Sequence, residues 1–238
     1  MILTRSVEPE WLDELPPDDS RAMRSRRDLK RINAWMLQTR IMARLLVRYR
    51  SAPPKRIIEL GSGDGTFMLS VARRLASRWP GVTLTFLDRQ DIVSNATREA
   101  LHQLGWDTQS ITADVFDFLP SQKSAAADVI TANLFLHHFS QQQLSRLFAC
   151  AAEAAPLFVA CEPRRSSFAL AGSHMLFAIG CNDVSRHDAV VSVRAGFAGR
   201  ELSGLWPRAR DWRFDEHGAL PFTHCFVARR NETEGAHV

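Results

Sequence analysis

Three glycines at alternate positions, Gly61, Gly63 and Gly65, follow a short apolar segment in the first half of the chain. Residues 56–60 predict a strand and residues 66–79 a helix, so the glycines lie in the turn between them. Glycine lets the backbone turn tightly and lets a ligand approach without meeting a Cβ atom. The helix that follows would present free N–H groups to a polar or anionic ligand group. The segment therefore predicts a nucleotide-type binding loop.

Acidic residues follow the next two predicted strands. Asp88 ends the strand predicted over residues 82–87, and Asp114 follows the strand predicted over residues 110–113. An acid at the end of the second strand can accept hydrogen bonds from both ribose hydroxyls. The alternatives are an Asp that caps the strand exit at position 88 and a simple helix N-cap at position 114. The pattern favours a ribose-bearing cofactor.

The residues around the glycines argue against a nicotinamide cofactor. The dinucleotide fingerprint needs glycine or alanine at position 66, where this chain has Thr66. Glu59 is also unlike the apolar strand end that is usual for NAD binding. The single tyrosine, Tyr49, lies outside the alternating segments, which excludes a Tyr-x-x-x-Lys reductase.

The elements that must position these residues alternate between strand and helix. Further strands are predicted over residues 129–134 and 157–161, and further helices over residues 92–104 and 141–154. Such alternation implies parallel pairing through right-handed crossovers. Residues 212–214 and 223–228 predict an antiparallel hairpin at the sheet edge. The predicted fold is α/β, with a doubly wound, mostly parallel sheet of seven strands.

Two regions flank this core. Residues 1–52 predict an irregular acidic arm followed by a helix over residues 25–49, and residues 53–230 form the main domain. A helical insert interrupts that domain at about residues 164–196, with helices predicted over residues 166–179 and 185–195. Residues 231–238 are polar and predict a frayed tail.

The composition is that of an ordinary globular chain of 238 residues, with 45% hydrophobic and 24% charged residues. Ten Lys or Arg residues but one acid lie between Arg21 and Arg50. This stripe could attract nucleic acid, but we favour a solvated helix face. No secretory signal or membrane span is expected, which predicts a cytoplasmic location. The four cysteines lack CxxC spacing and indicate no zinc site.

The glycine segment resembles a known family. Residues 59–65, Glu-Leu-Gly-Ser-Gly-Asp-Gly, resemble the first motif of class I S-adenosylmethionine methyltransferases. The sequence from Asp128 to His138 resembles the corresponding segment of the family members that methylate small molecules, including quinone-biosynthesis enzymes. The likeness to the family covers about residues 55–162. It implies that Asp114 holds the adenine amino group and that Val115 packs on the ring. The predicted cofactor-binding residues are Glu59, Gly61, Ser62, Gly63, Gly65, Asp88, Arg89, Asp114, Val115 and Asn133.

Methyl transfer to a hydroxyl needs in-line placement in a dry pocket and removal of one proton. His137 and His138 follow the fourth strand, whose end would face the methyl group, and histidine titrates near neutral pH. We predict one of them as the base or as the group that orients the acceptor. The competing interpretation is a histidine that only bonds a backbone carbonyl. We predict no metal ligands.

The two ends of the chain predict lids over the acceptor. The insert carries His174 and His187 and the apolar residues Met175, Leu176, Phe177 and Ile179. The N-terminal helix, with Asn33 and Trp35, is the second candidate lid. Pro-Glu-Trp-Leu-Asp-Glu-Leu-Pro near the N-terminus and a late Val-Arg-Ala-Gly-Phe segment resemble bacterial methyltransferases that accompany type III polyketide synthases. This resemblance implies an apolar phenolic or quinone-type acceptor, methylated at its hydroxyl or at a ring carbon.

The absence of two motifs narrows the class of substrate. The chain has Asn133-Leu-Phe-Leu where amino-methylating DNA enzymes carry Asn-Pro-Pro-Tyr, and it has no Pro-Cys dipeptide for a cytosine C5 enzyme. The alternatives that stay open are an RNA methyltransferase, a nicotinamide oxidoreductase and a silent binding protein.

Overall fold

One sheet of seven strands organises the molecule, and its order is β3-β2-β1-β4-β5-β7-β6. The computed structural model describes residues 4–16, 18–122, 126–176, 180–220 and 222–231, and the side chains of residues 33–35 lie outside the description. The strands are β1 Arg56–Leu60, β2 Val82–Asp88, β3 Trp106–Thr112, β4 Val129–Asn133, β5 Leu157–Pro163, β6 Trp212–Ala219 and β7 Thr223–Arg230. Strands β1 to β5 pair in parallel, and β7 runs antiparallel to β5 and β6. The predicted doubly wound sheet is confirmed.

Helices cover both faces of the sheet. They are α1 Trp11–Glu14, α2 Ser20–Trp35, α3 Gln38–Tyr49, α4 Thr66–Leu75, α5 Asn95–Gln103, α6 Val115–Ser121, α7 Gln141–Ala154, α8 Ser167–His174 and α9 Asp183–Ala195. Apolar residues of α3, α4 and α5 form one buried cluster with one sheet face. Those of α6 and α7 form a second cluster with the other face. Burial of two faces explains why the central strands are mostly apolar.

The register brings the ends of the central strands to one edge. Leu60 at the end of β1 pairs with Leu87 of β2 and Ala132 of β4. Asn133, which ends β4, pairs with Cys161 of β5. Parallel strands share a direction, so the loops that follow them converge at this edge. The predicted cofactor and histidine residues therefore lie close together.

The structure differs from the sequence prediction in the N-terminal helix, in the start of β3 and in two additional helices. The single helix predicted over residues 25–49 is two helices, because Leu37 takes a left-handed backbone conformation with φ 56°. Strand β3 begins at Trp106, not at residue 110, because the buried Trp106 anchors it with an indole N–H bond of 2.8 Å to the Trp79 carbonyl. Helices α1 and α6 were not predicted, and both begin beside a carboxylate that accepts their backbone N–H groups.

Within the described residues, no helix combines the length and apolar character that a bilayer crossing requires. Phe177 and Ile179 of the predicted lid, and the predicted tail beyond Asn231, lie outside the described residues.

Candidate active site

The glycine loop turns sharply between β1 and α4. Gly61 and Gly65 have φ values of 65° and 73°, in the left-handed region that disfavours other residues. A Cβ atom on Gly61 would lie 2.2 Å from the Phe135 ring, so the close approach of this ring also requires glycine. The backbone N–H groups of Gly61 and Ser62 bond the Leu87 carbonyl at 2.9 and 3.2 Å, which fixes the loop against β2.

Asp88 ties the second strand to this loop. Its Oδ2 accepts the Gly63 N–H at 2.8 Å and its Oδ1 accepts the Gln90 N–H at 3.0 Å. Each carboxylate oxygen has a second lone pair, so a ligand hydroxyl can still donate to Asp88. The structure thus places Asp88 against the glycine loop, and its contact with a ribose stays a prediction.

Three buried polar atoms at this edge lack a hydrogen-bond partner: Glu59 Oε2, Ser62 Oγ and Asn133 Oδ1. Native proteins pair nearly all buried polar atoms, so such a group points to a missing ligand. Burial raises the pKa of Glu59 well above its usual range, and the nearby carboxylates of Asp88 and Asp64 add to this effect. A bound ammonium group would reverse that penalty and pair the carboxylate. These residues fit a ligand with a cationic group and several hydrogen-bonding atoms.

The residues that are predicted to bind the adenine lie at the start of α6. Asp114 is the N-cap of this helix, and its Oδ1 accepts the Phe116 N–H at 2.8 Å. Val115 is buried in the core cluster on that face. The N-cap role is therefore present, and the second carboxylate oxygen of Asp114 stays the predicted partner of the adenine amino group. Arg89 is exposed beyond β2, and its charge acts on Asp13 of the N-terminal arm.

His137 lies between two carboxylates. Its Nδ1 is 2.8 Å from Glu162 Oε2 and its Nε2 is 3.2 Å from Glu10 Oε1, and all three side chains are buried. Burial opposes protonation, but the hydrogen bonds to Glu10 and Glu162 outweigh it and raise the pKa of His137 to about 9. Burial likewise opposes the charge on Glu10, while the bond from His137 lowers the pKa of Glu10 to about 2. This arrangement gives His137 a positioning role and leaves it no free nitrogen for a proton from an acceptor.

His138 has a different environment. Its Nδ1 is 3.3 Å from Asp13 Oδ2, and a quarter of its side chain is exposed, at 25%. Burial and the neighbouring charge of His137 lower the pKa of His138, and burial raises that of Asp13. The two imidazole rings lie 4.2 Å apart between centroids. Among the described residues, His138 has a carboxylate partner at Nδ1, whereas His137 has one at each ring nitrogen.

The N-terminal arm is held over these histidines by several contacts. Asp188 of α9 accepts the backbone N–H groups of Trp11 and Leu12 at 2.9 and 3.0 Å, and so caps α1. Arg5 donates to the His137 and Phe139 carbonyls at 3.2 and 2.9 Å. Because Arg5 and Glu10 lie more than 120 positions before the histidines, sequence reasoning missed this part of the site.

A largely apolar cavity lies between the N-terminal and insert helices. Its empty volume is about 730 Å³ including the open mouth. Leu29 of α2, Leu176 after α8 and Ala189 of α9 contribute to its wall, and Leu134 and Glu10 reach it from the sheet edge. Lys30 of α2 also pairs with Asp64 of the glycine loop at 2.6 Å, so the same helix contacts both sites. The two predicted lids do enclose one cavity.

Comparison with known proteins finds a family likeness in the central segment. A family model described as a methyltransferase domain matches residues 57–155. The matched segment includes the glycine loop, Asp88, Asp114 and both histidines. This likeness supports the predicted methyltransferase class, whose cofactor is S-adenosylmethionine.

The methyltransferase domain also has relatives and structural neighbours. A trans-aconitate 2-methyltransferase from Delftia acidovorans is 29% identical over 47% of this chain and 40% of its own length. The chain therefore spans less than half of the length of the curated relatives it matches. An O-methyltransferase family protein from Burkholderia thailandensis superposes with a TM-score of 0.61 at 19% identity, over 91% of this chain and 62% of that protein. The plantazolicin methyltransferase BpumL, solved with a triazolic substrate analogue and S-adenosylhomocysteine, superposes with a TM-score of 0.65 at 13% identity over 93% of each chain.

Proposed function

We propose that this protein transfers a methyl group from S-adenosylmethionine to the hydroxyl of a small, mainly apolar molecule. The observation that carries the proposal is the fully buried, unpaired Glu59 carboxylate beneath a glycine loop of a methyltransferase domain. When bound, S-adenosylmethionine supplies a methyl group on a cationic sulfur, which becomes a neutral thioether as the acceptor oxygen bonds the carbon. Glu59 would pair its ammonium group, and Asp88 would accept its ribose hydroxyls.

The other predicted cofactor contacts keep their places in this proposal. Asn133 and Ser62 offer unpaired buried oxygens beside the loop. Asp114 would accept from the adenine amino group, with Val115 against the ring and Arg89 at the outer edge of the site.

The cavity indicates the chemical class of the acceptor. Its described lining carries the carboxylates of Glu10 and Asp188 and contains no Lys or Arg side chain. A tricarboxylate such as trans-aconitate would find no cation among these lining residues and would meet two like charges. A phenolic or quinone-type ring suits the apolar wall, in agreement with the resemblance to enzymes that accompany polyketide synthases. The neighbour BpumL likewise was solved with a substrate analogue of azole rings.

The histidine pair acts on the acceptor hydroxyl in this proposal. His137 positions Glu10, which reaches the cavity, and His138 lies beside it with its own carboxylate partner. His138 would orient the hydroxyl or assist loss of its proton, the role that the sequence predicted for one of the two histidines. The enclosing helices exclude water, and alignment in a dry site can supply on the order of 7–11 kcal/mol of barrier reduction.

Two experiments test the proposal. Calorimetry of the full chain with S-adenosylhomocysteine and with NADH should show binding of the first and none of the second. Mass spectrometry of cell extracts incubated with enzyme and a trideuteromethyl donor should show a labelled product of low molecular mass. Binding of NADH alone, or label only in macromolecules, would contradict the proposal.

An RNA methyltransferase is the second candidate, favoured by the exposed basic side chains of α2 and α3, such as Arg27, Arg44 and Arg48. We rank it second because the two lids narrow the entrance to a cavity with apolar walls. Binding to RNA that falls steeply with salt concentration would favour it.

A further inference from the structure

Three side chains from distant parts of the chain bring potential metal ligands together. One oxygen or ring nitrogen from each of Glu10, His137 and His138 lies within 4.8 Å of the others. Glu10 comes from the N-terminal arm, and the histidines form a 3₁₀ turn after β4. Two imidazoles and one carboxylate are a ligand set that binds divalent first-row metals and leaves coordination positions open.

The hydrogen bonds around the histidines fit this use. Glu162 holds Nδ1 of His137 at 2.8 Å, and Asp13 lies 3.3 Å from Nδ1 of His138. Metal-binding histidines commonly donate one ring N–H to a carboxylate and coordinate through the other nitrogen. Here both rings have their carboxylate on Nδ1, and the His137 Nε2 faces Glu10. A cation would take the place of the proton shared by His137 Nε2 and Glu10.

The charges near the cluster also suit a cation. The carboxylates of Glu10 and Glu162 are buried, and the more exposed carboxylate of Asp13 lies next to His138. The charge of Arg5 acts on Glu162, and that of Arg89 acts on Asp13. Arg5 donates its described side-chain bonds to backbone carbonyls and not to these carboxylates. A divalent ion would pair Glu10 directly, inside the cluster.

We propose that Glu10, His137 and His138 bind one divalent first-row transition metal ion, which receives the acceptor hydroxyl. The inference rests on the proposed function, because Glu10 lines the acceptor cavity and an open coordination position would face that space. A hydroxyl bound to such an ion would have a lower pKa, and its proton would leave to solvent through the open mouth of the cavity. The oxygen would then bond the methyl carbon while the carbon–sulfur bond breaks and its electron pair stays on sulfur.

Cobalt(II) titration of the full chain after chelator treatment tests the site. We expect visible absorption bands of coordinated cobalt that saturate at about one equivalent and disappear when Zn²⁺ is added. His138→Gln and Glu10→Gln should each weaken cobalt binding by about 100-fold or more, because each removes a ligand. His102→Gln is the matched control, since His102 is exposed on α5 away from the cluster, and its titration should match that of the unmodified protein.

Folding and cofactor binding are followed in the same samples. Each variant should retain its circular dichroism spectrum and its affinity for S-adenosylhomocysteine, since the glycine loop contributes no cobalt ligand. Absence of saturable cobalt bands, or equal titrations of the folded His138→Gln and unmodified proteins, overturns the metal site. S-adenosylhomocysteine binding that persists in that case leaves the proposed function intact, whereas its loss in the unmodified protein refutes the proposed function separately.

Discussion

The glycine loop and the histidine cluster lie at the same edge of the sheet but are built in opposite ways. The loop is held by nearby parts of the chain, for example by the bond from Gly63 to Asp88 across 25 positions. In the cluster, His137 bonds Glu10 across 127 positions and Glu162 of β5. The loop leaves buried polar atoms unpaired, whereas the His137 nitrogens are both paired within the protein. The loop is thus prepared for a ligand, and the cluster is also part of the folded framework.

This contrast predicts that the cluster dominates stability. Glu162 is fully buried and accepts the N–H groups of Phe135 and Leu136 at 3.0 and 2.9 Å, besides bonding His137. Glu162→Ala should lower the free energy of unfolding by about 3–5 kcal/mol, because it leaves the His137 ring and three backbone donors without their partner. Urea unfolding measures this loss. Glu99→Ala, at an exposed position of α5, is the control and should change the free energy of unfolding by less than about 0.5 kcal/mol. If Glu162→Ala and Glu99→Ala lowered the free energy of unfolding equally, the histidine cluster would not dominate stability.

The loop should dominate cofactor affinity instead. Asp88→Ala removes an acceptor for two ribose hydroxyls and also frees the Gly63 N–H. At about 1.5 kcal/mol for each bond to a charged acceptor, S-adenosylhomocysteine affinity should fall by about 100-fold in calorimetry. Asp91→Ala, three positions further on and paired with Arg98 at the surface, should stay within about twofold. An unchanged affinity of Asp88→Ala would refute the ribose assignment.

Glu59 offers a sharper test, because binding and stability should move in different directions. Burial raises the pKa of the unpaired carboxyl group, so its charge costs free energy in the protein without ligand. Glu59→Gln keeps the shape and removes the charge, and the protein should be as stable as before or more stable in urea. Its affinity for S-adenosylhomocysteine should fall by about 10-fold through loss of one charged hydrogen bond. A variant that loses stability and keeps affinity would show that Glu59 serves the fold and not the ligand.

The same contrast explains which features the sequence could predict. The parallel sheet and the cofactor loop follow from periodicity and from a motif of seven consecutive residues, so local reasoning identified them. The break at Leu37 depends on backbone geometry that the amphipathic pattern does not encode. Glu10 and Asp13 looked like part of an irregular arm, because their partners lie in the turn after β4 and on α9. Long-range polar contacts need the fold before they can be inferred.

Weakening the attachment of the N-terminal arm should have the smallest effect of these changes. It should lower metal affinity and leave cofactor affinity unchanged. Asp188 accepts the N–H groups of Trp11 and Leu12 through different oxygens, and so fixes the segment that carries Glu10. Asp188→Asn keeps one acceptor oxygen, and loss of the other bond should cost about 1 kcal/mol of arm docking. Cobalt affinity should then fall by about fivefold, since the binding-competent position of Glu10 is less populated. S-adenosylhomocysteine affinity should not change, because the glycine loop makes no contact with Asp188. If both affinities fell together, the arm would have to serve the whole site, and the separation between loop and cluster would be wrong.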